Sequence, residues 1–200
     1  ENCPNDEAHE LFKLPEFVSK MMENKWLGSK TGQGFYKKEG KEILTLDLNT
    51  LEYRPNKKAT FATLELTKTI EKPIDRFKVL ITGKDKAGEF YRKNFASMFQ
   101  YCSNRIPEIT DAFYKIDDAM KAGFGWENGP FEIWDAIGVE KGIELMKAEG
   151  YQPASWVTEM LASGNTSFYS VKDGATHFYS ITNKKVEKIP GQDAFIILNN

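Results

Sequence analysis

Lys30-Thr31 lies inside the run Trp26-Leu27-Gly28-Ser29-Lys30-Thr31-Gly32-Gln33-Gly34-Phe35-Tyr36, where three glycines fall within seven residues. Glycine enters positive φ without a steric penalty, so such a run marks a tight loop. A Lys-Thr pair on a glycine loop is the chemistry of phosphate binding, but the spacing fails that test. A P-loop puts glycine directly before Lys-Ser/Thr and another glycine five residues earlier. Here Ser29 precedes Lys30, and Glu23 and Asn24 stand at the earlier positions. A second candidate is the stretch from Ile116 to Gly138, where Gly123 and Gly125 close one helix and Gly129-Pro130 opens the next. A helix start offers unpaired N–H groups and a partial positive charge. Asn128, Gly129 and Pro130 would then receive an anionic or carbonyl oxygen of a ligand. The same residues also describe a helix–helix corner that simply needs glycine. Asn94, between Tyr91 and Met98 on an apolar helix face, is the third candidate. A buried amide without partners costs roughly 1–3 kcal/mol. Asn94 therefore bonds a substrate carbonyl or another helix, or it lies at an edge in water. Asp117, Asp118, Glu140 and Glu144 read as solvated helix faces, and Trp126, Phe131 and Trp134 as core.

The elements that must position these residues are mostly helices. Pro15 opens a helix to about residue 24 with Phe17, Val18, Met21 and Met22 on one stripe. Residues 35–54 read as short strands around Glu39-Gly40, and 54–58 as a linker. Further helices are expected at 60–69, from Pro73, and over 86–103, where Tyr91, Phe95, Met98, Phe99 and Cys102 recur three or four apart. Thr110 or Asp111 is the expected cap of the next, with Gly123 as its stop. Gly129-Pro130 begins another, and helices at 139–149 and 153–163 end at Gly150 and Gly164. Residues 166–186 return to strand pattern, with a hairpin signal at Asp173-Gly174. The expected fold is mainly α: a bundle of five to seven helices with short β-hairpin extensions. No Gly-x-Gly-x-x-Gly follows a strand, so no Rossmann domain is expected.

Bulk properties narrow the function classes. The 200 residues carry a net charge of −2, which gives no basic footprint for nucleic acid. No apolar run reaches the ~18 residues of a membrane span, and no signal peptide is visible. Cys3 and Cys102 are too few for a disulfide framework or zinc site, and His9 and His177 are the only histidines. No metal site is expected, and a reducing cytoplasm is the simple reading. The chain opens Glu1-Asn2-Cys3 without Met and stops after the apolar run 195–198, which reads as an internal piece.

The chain also repeats itself. Pro15, Val18, Met21 and Met22 recur as Pro153, Val157, Met160 and Leu161, with the Val and Met positions offset by 139 residues. Phe35-Tyr36 recurs as Phe168-Tyr169 at an offset of 133, so the second copy is six residues shorter and lacks the glycine loop.

These residues carry a resemblance. Leu27-Gly28-x-Lys30-Thr31-Gly32-x-Gly34-Phe35-Tyr36 resembles the signature that closes the C-terminal domain of 3-hydroxyacyl-CoA dehydrogenases. Asp117-x-Ala119-Met120-x-x-Gly123-x-Gly125-x-x-x-Gly129-Pro130-Phe131-Glu132-x-x-Asp135-x-x-Gly138 resembles the core signature of the same domain. The closing signature comes first, as in multifunctional chains with two such helical domains after an NAD-binding domain. The resemblance implies four segments. Residues 1–38 would be the tail of the first helical domain and 39–58 a β/linker segment. Residues 59–165 would be the second helical domain, and 166–200 a hairpin and link toward a following enoyl-CoA hydratase domain. It implies oxidation of a 3-hydroxyacyl-CoA to the 3-ketoacyl-CoA in fatty-acid β-oxidation. Acyl-CoA and NAD would be engaged through the parent enzyme, with no cofactor bound by this piece. The catalytic His/Glu pair would lie in the NAD-binding domain, leaving no catalytic residue here. Asn94 would match a substrate-contacting asparagine, in a copy that completes the helical platform and a pseudo-dimer rather than forming the working site. The competing class is a non-enzymatic helical module binding acyl-CoA or a protein partner.

Overall fold

A computed structural model describes residues 6–192, so Cys3 and the apolar run 195–198 lie outside the described residues. The chain divides after Thr60 into two compact units. Helix makes up 47% and strand 15%, and the sheets are two three-stranded antiparallel meanders. No parallel sheet of the dinucleotide-binding kind occurs among the described residues. None of their helices is long and apolar enough to cross a membrane.

In the first unit, α1 (Glu16–Glu23) starts after Pro15 and buries Met21. The meander follows as β1 (Tyr36–Glu39), β2 (Glu42–Leu46) and β3 (Tyr53–Pro55). Leu46 is buried, Phe17 meets Phe35 edge-on at 6.3 Å, and Trp26 tilts against Tyr53 at 5.8 Å.

The second unit begins with α2 (Ala62–Thr67), α3 (Pro73–Thr82) and α4 (Lys86–Asn104). Asp85 ties the first and third of these together. Its carboxylate accepts the Gly88 N–H at 3.0 Å, capping α4, and the N–H and hydroxyl of Thr63 at 2.9 and 2.7 Å, capping α2. These donors, the Thr63 N–H foremost, hold its pKa down to about 2. Next come α5 (Tyr114–Phe124), α6 (Pro130–Ile137), α7 (Val139–Ala148) and α8 (Ser155–Ala162). The unit closes with β4 (Tyr169–Lys172), β5 (Ala175–Ser180) and β6 (Lys185–Lys188). The core is aromatic. Phe99 stacks on Trp134 at 4.7 Å, and Phe113 touches Phe131, Trp156, Phe168, Tyr169 and Phe178.

Three expectations are corrected. Neither Thr110 nor Asp111 caps α5, which begins at Tyr114 without a side-chain cap. Gly123 does not stop that helix. Gly125 does, because it takes the left-handed conformation at φ +67°. Trp126 stays 39% exposed in the loop after it, while Phe131 and Trp134 are fully buried as expected. The β-hairpin extension expected at 166–186 is present as β4–β6, and its Phe168, Phe178 and Tyr179 pack into the helical core.

The repeat extends further than the sequence reading took it. Both α1 and α8 are eight residues long and sit 139 apart. The pairs Tyr36↔Thr45 and Leu44↔Pro55 reappear as Tyr169↔Phe178 and His177↔Lys188, every residue shifted by 133. The hydrogen bond from Leu46 N–H to the Phe35 carbonyl reappears from Tyr179 to Phe168. Even the left-handed Leu51 (φ 59°) has its counterpart in Lys184 (φ 50°). Register is set by which face is buried, so two meanders in one register point to one ancestral unit.

Candidate functional site

The corner between α5 and α6 is built by a carboxylate. Asp117 lies one turn after Phe113 and just before Met120, on the apolar stripe of α5, and is 0% exposed. It accepts the N–H groups of Phe131 (2.9 Å) and Glu132 (3.0 Å), the start of α6, and the hydroxyl of Tyr169 (2.8 Å). Glu132 accepts the Gly129 N–H at 2.8 Å and holds Lys121 at 2.7 Å. Gly129 is needed for closeness: a Cβ there would sit 2.3 Å from the Asp117 side chain.

A second, half-buried carboxylate fixes the hairpin. Asp135 accepts the N–H groups of Phe168 at 2.7 Å and Tyr169 at 2.8 Å. Burial pushes Asp117 up to about 7 and Asp135 up to about 6, against the pull of the N–H donors each accepts. Burial and the Asp117 charge hold the Tyr169 hydroxyl protonated far above its usual range. Burial, with the Asp117 charge added, raises the half-buried Cys102 thiol to about 12.

Carboxylates with near-neutral pKa beside a tyrosine are the usual equipment of acid–base catalysis. Here their hydrogen bonds are spent inside the fold, and Asp117 has no exposed surface for a substrate. The helix start offered in the sequence as an anion site is thus filled from within by Asp117, and the glycine-requiring corner is what the structure builds. Gly129 and Pro130 are buried in that corner; half-buried Asn128 lines an adjacent cavity of ≈ 760 Å³ with Asp118, Lys121, Glu132 and Tyr169. Asn94 does not join them. It is exposed on α4, and its side chain makes no hydrogen bond among the described residues. The sequence reading of Asp117 as a solvated face is overturned, while Asp118, Glu140 and Glu144 are exposed as expected.

The glycine loop is a self-contained knot in the first unit. Gly28 (φ +117°) and Gly32 (φ +83°) flank a short 3-10 turn, Ser29–Thr31. The Thr31 hydroxyl accepts the Leu27 N–H at 3.0 Å and lies 3.1 Å from the carbonyls of both Gly28 and Gln33. Gly34 passes so close to Gly28 that a Cβ would come within 2.8 Å of its Cα, and its carbonyl accepts the Tyr53 hydroxyl at 2.6 Å. Lys30, Phe35 and Tyr36 are exposed. Among the described residues no group of His, Cys, Asp and Glu is placed to hold a metal ion.

Comparison with known proteins places this geometry. Residues 95–175, which hold the whole Asp117–Asp135 corner, match the family described as 3-hydroxyacyl-CoA dehydrogenase, C-terminal domain. A probable 3-hydroxyacyl-CoA dehydrogenase of Bacillus subtilis (strain 168) is 43% identical over 170 residues, covering 85% of this chain and 21% of that protein. A putative fatty acid oxidation complex trifunctional enzyme of Rickettsia prowazekii (strain Madrid E) is 27% identical over 146 residues, covering 71% of this chain and 19% of the relative. The chain thus spans about a fifth of the length of these curated relatives. No solved structure matches it significantly.

Proposed function

With residues 95–175 matching the C-terminal domain of 3-hydroxyacyl-CoA dehydrogenases, we propose that this chain is a helical part of an NAD-dependent 3-hydroxyacyl-CoA dehydrogenase of fatty-acid β-oxidation. The observation that carries the reading is that the family match falls on the residues that build the Asp117–Asp135 corner. The reaction takes a 3-hydroxyacyl-CoA to the 3-ketoacyl-CoA. A His base positioned by a Glu removes the hydroxyl proton while hydride leaves carbon 3 for NAD⁺. That pair and the cofactor belong to a dinucleotide-binding domain outside this chain. The described residues do not fit a nicotinamide site: they form no strand–turn–helix unit of that type, and the buried helix start at Pro130 is already capped by Asp117.

In this reading residues 1–38 are the tail of a first helical domain and 39–58 a β/linker segment. The second helical domain extends through the meander that fills its core, and residues beyond it lead toward an enoyl-CoA hydratase domain. The Rickettsia relative's name, a trifunctional enzyme of a fatty acid oxidation complex, supports a multifunctional parent. The second helical domain completes the platform as a pseudo-dimer partner of the first, which fits both the shared register of the two meanders and the unengaged Asn94. The compartment is the cytoplasm, in keeping with the free Cys102. The test is NADH oxidation with acetoacetyl-CoA by the longer polypeptide, beside this chain at equal concentration. Turnover by the longer polypeptide and none by the chain is expected. A silent longer polypeptide overturns the dehydrogenase and leaves the non-enzymatic module; turnover by the chain alone overturns the placement of the catalytic pair outside it.

A further inference from the structure

The two meanders share one register but not one environment. In the second copy, Phe168 is 1% exposed, its N–H and that of Tyr169 end on Asp135, and the Tyr169 hydroxyl ends on Asp117. In the first copy the same positions are Phe35 and Tyr36, 50% and 60% exposed. No carboxylate accepts their N–H groups among the described residues, and the Tyr36 hydroxyl has no hydrogen bond there. Tyr36 pairs with Thr45 as Tyr169 does with Phe178, and the Leu46 N–H reaches the Phe35 carbonyl as the Tyr179 N–H reaches that of Phe168. The Tyr36 N–H therefore points away from β2, as that of Tyr169 points away from β5 toward its carboxylate. Two N–H donors, one hydroxyl and an aromatic pair thus stand on one exposed edge, with the geometry that elsewhere in the chain receives one buried and one half-buried aspartate.

We propose that this edge docks on a second helix–helix corner, outside this chain, that presents two carboxylates: a half-buried one to the N–H groups of Phe35 and Tyr36, a buried one to the Tyr36 hydroxyl. The partner follows from donor–acceptor and charge complementarity. Three donors on an apolar rim call for acceptors of negative charge inside an apolar seat, and Asp117 and Asp135 show how one fold supplies both. The corner within this chain cannot be the occupant's seat, because Phe168 and Tyr169 already fill it. The inference rests on the proposed membership of a longer polypeptide and names the contact that the first unit makes there.

Amide hydrogen exchange tests it, read on peptides spanning 35–36 and 168–169 in this chain and in the longer polypeptide. In the chain alone the first pair should exchange about 100-fold faster than the second, and in the longer polypeptide the two should agree within about tenfold. Fast exchange at 35–36 in the longer polypeptide overturns the docking. Protection that appears in the chain alone on raising its concentration also overturns it, making a second copy the occupant. Acetoacetyl-CoA reduction measured on the same sample separates the two readings. An active but unprotected polypeptide removes the docking and keeps the dehydrogenase, and a protected but inactive one does the reverse.

Discussion

Asp117 shows how one residue can carry a corner. Its oxygens take two N–H groups and a hydroxyl from α6 and β4. Asp117→Asn keeps the shape but sets an amide NH₂ against those donors. It should lower stability by roughly 1–3 kcal/mol or more, read by urea unfolding. The pH dependence follows from the directions of the shifts. Asp117 and Asp135 hold their protons in the folded state up to about 7 and about 6, above their unfolded range, so their stabilisation is full below that range and is lost as pH rises. Asp85, held down to about 2, works the other way: its stabilisation is present above the unfolded value and is lost as pH falls through about 2. The urea midpoint of the chain should therefore be higher near about pH 5 than near about pH 8. Asp117→Asn should flatten that fall; an undiminished slope would remove Asp117 as its cause. The sequence did hold a sign of this role, since Phe113, Ile116 and Met120 put Asp117 on the buried stripe. Residue type outweighed position, because carboxylates are seldom fully buried without partners. Those partners, at 131, 132 and 169, are far along the chain.

At the scale of elements, helices were legible because apolar spacing and glycine ends are local signals. Their extents agree with expectation to within a few residues, and the exception is the start of α5, which no side chain caps. The role of the hairpin was not legible. Nothing in the alternation of 166–186 says that Phe168 enters a helical core, since that depends on where α5, α6 and α8 converge around Phe113. Phe168→Ala should therefore cost about 3–5 kcal/mol, as for a fully buried aromatic. Phe35→Ala, at the equivalent but exposed position, should cost this chain far less. Denaturant unfolding of both variants checks the contrast, and equal losses would mean that the first meander is packed as tightly as the second.

For the molecule as a whole, function was legible only through motif order. The closing signature precedes the core signature, and that order is the sign from which the proposed junction between two helical domains is read. Among the described residues the buried titratable cluster around Asp117 is spent on holding α5, α6 and β4 together. The duplication also has a practical side. Its two copies differ in length only between helix and meander, where the first keeps the Thr31 knot and the second runs directly from α8 to Phe168. Every paired position on either side kept its alignment through that change, so the fold has already tolerated an insertion at this one joint. The joint around Thr166 is therefore a natural port for a reporter. A six-residue tag placed after Thr166 should leave the urea midpoint of the chain unchanged, and the same tag between β4 and β5 should lower it.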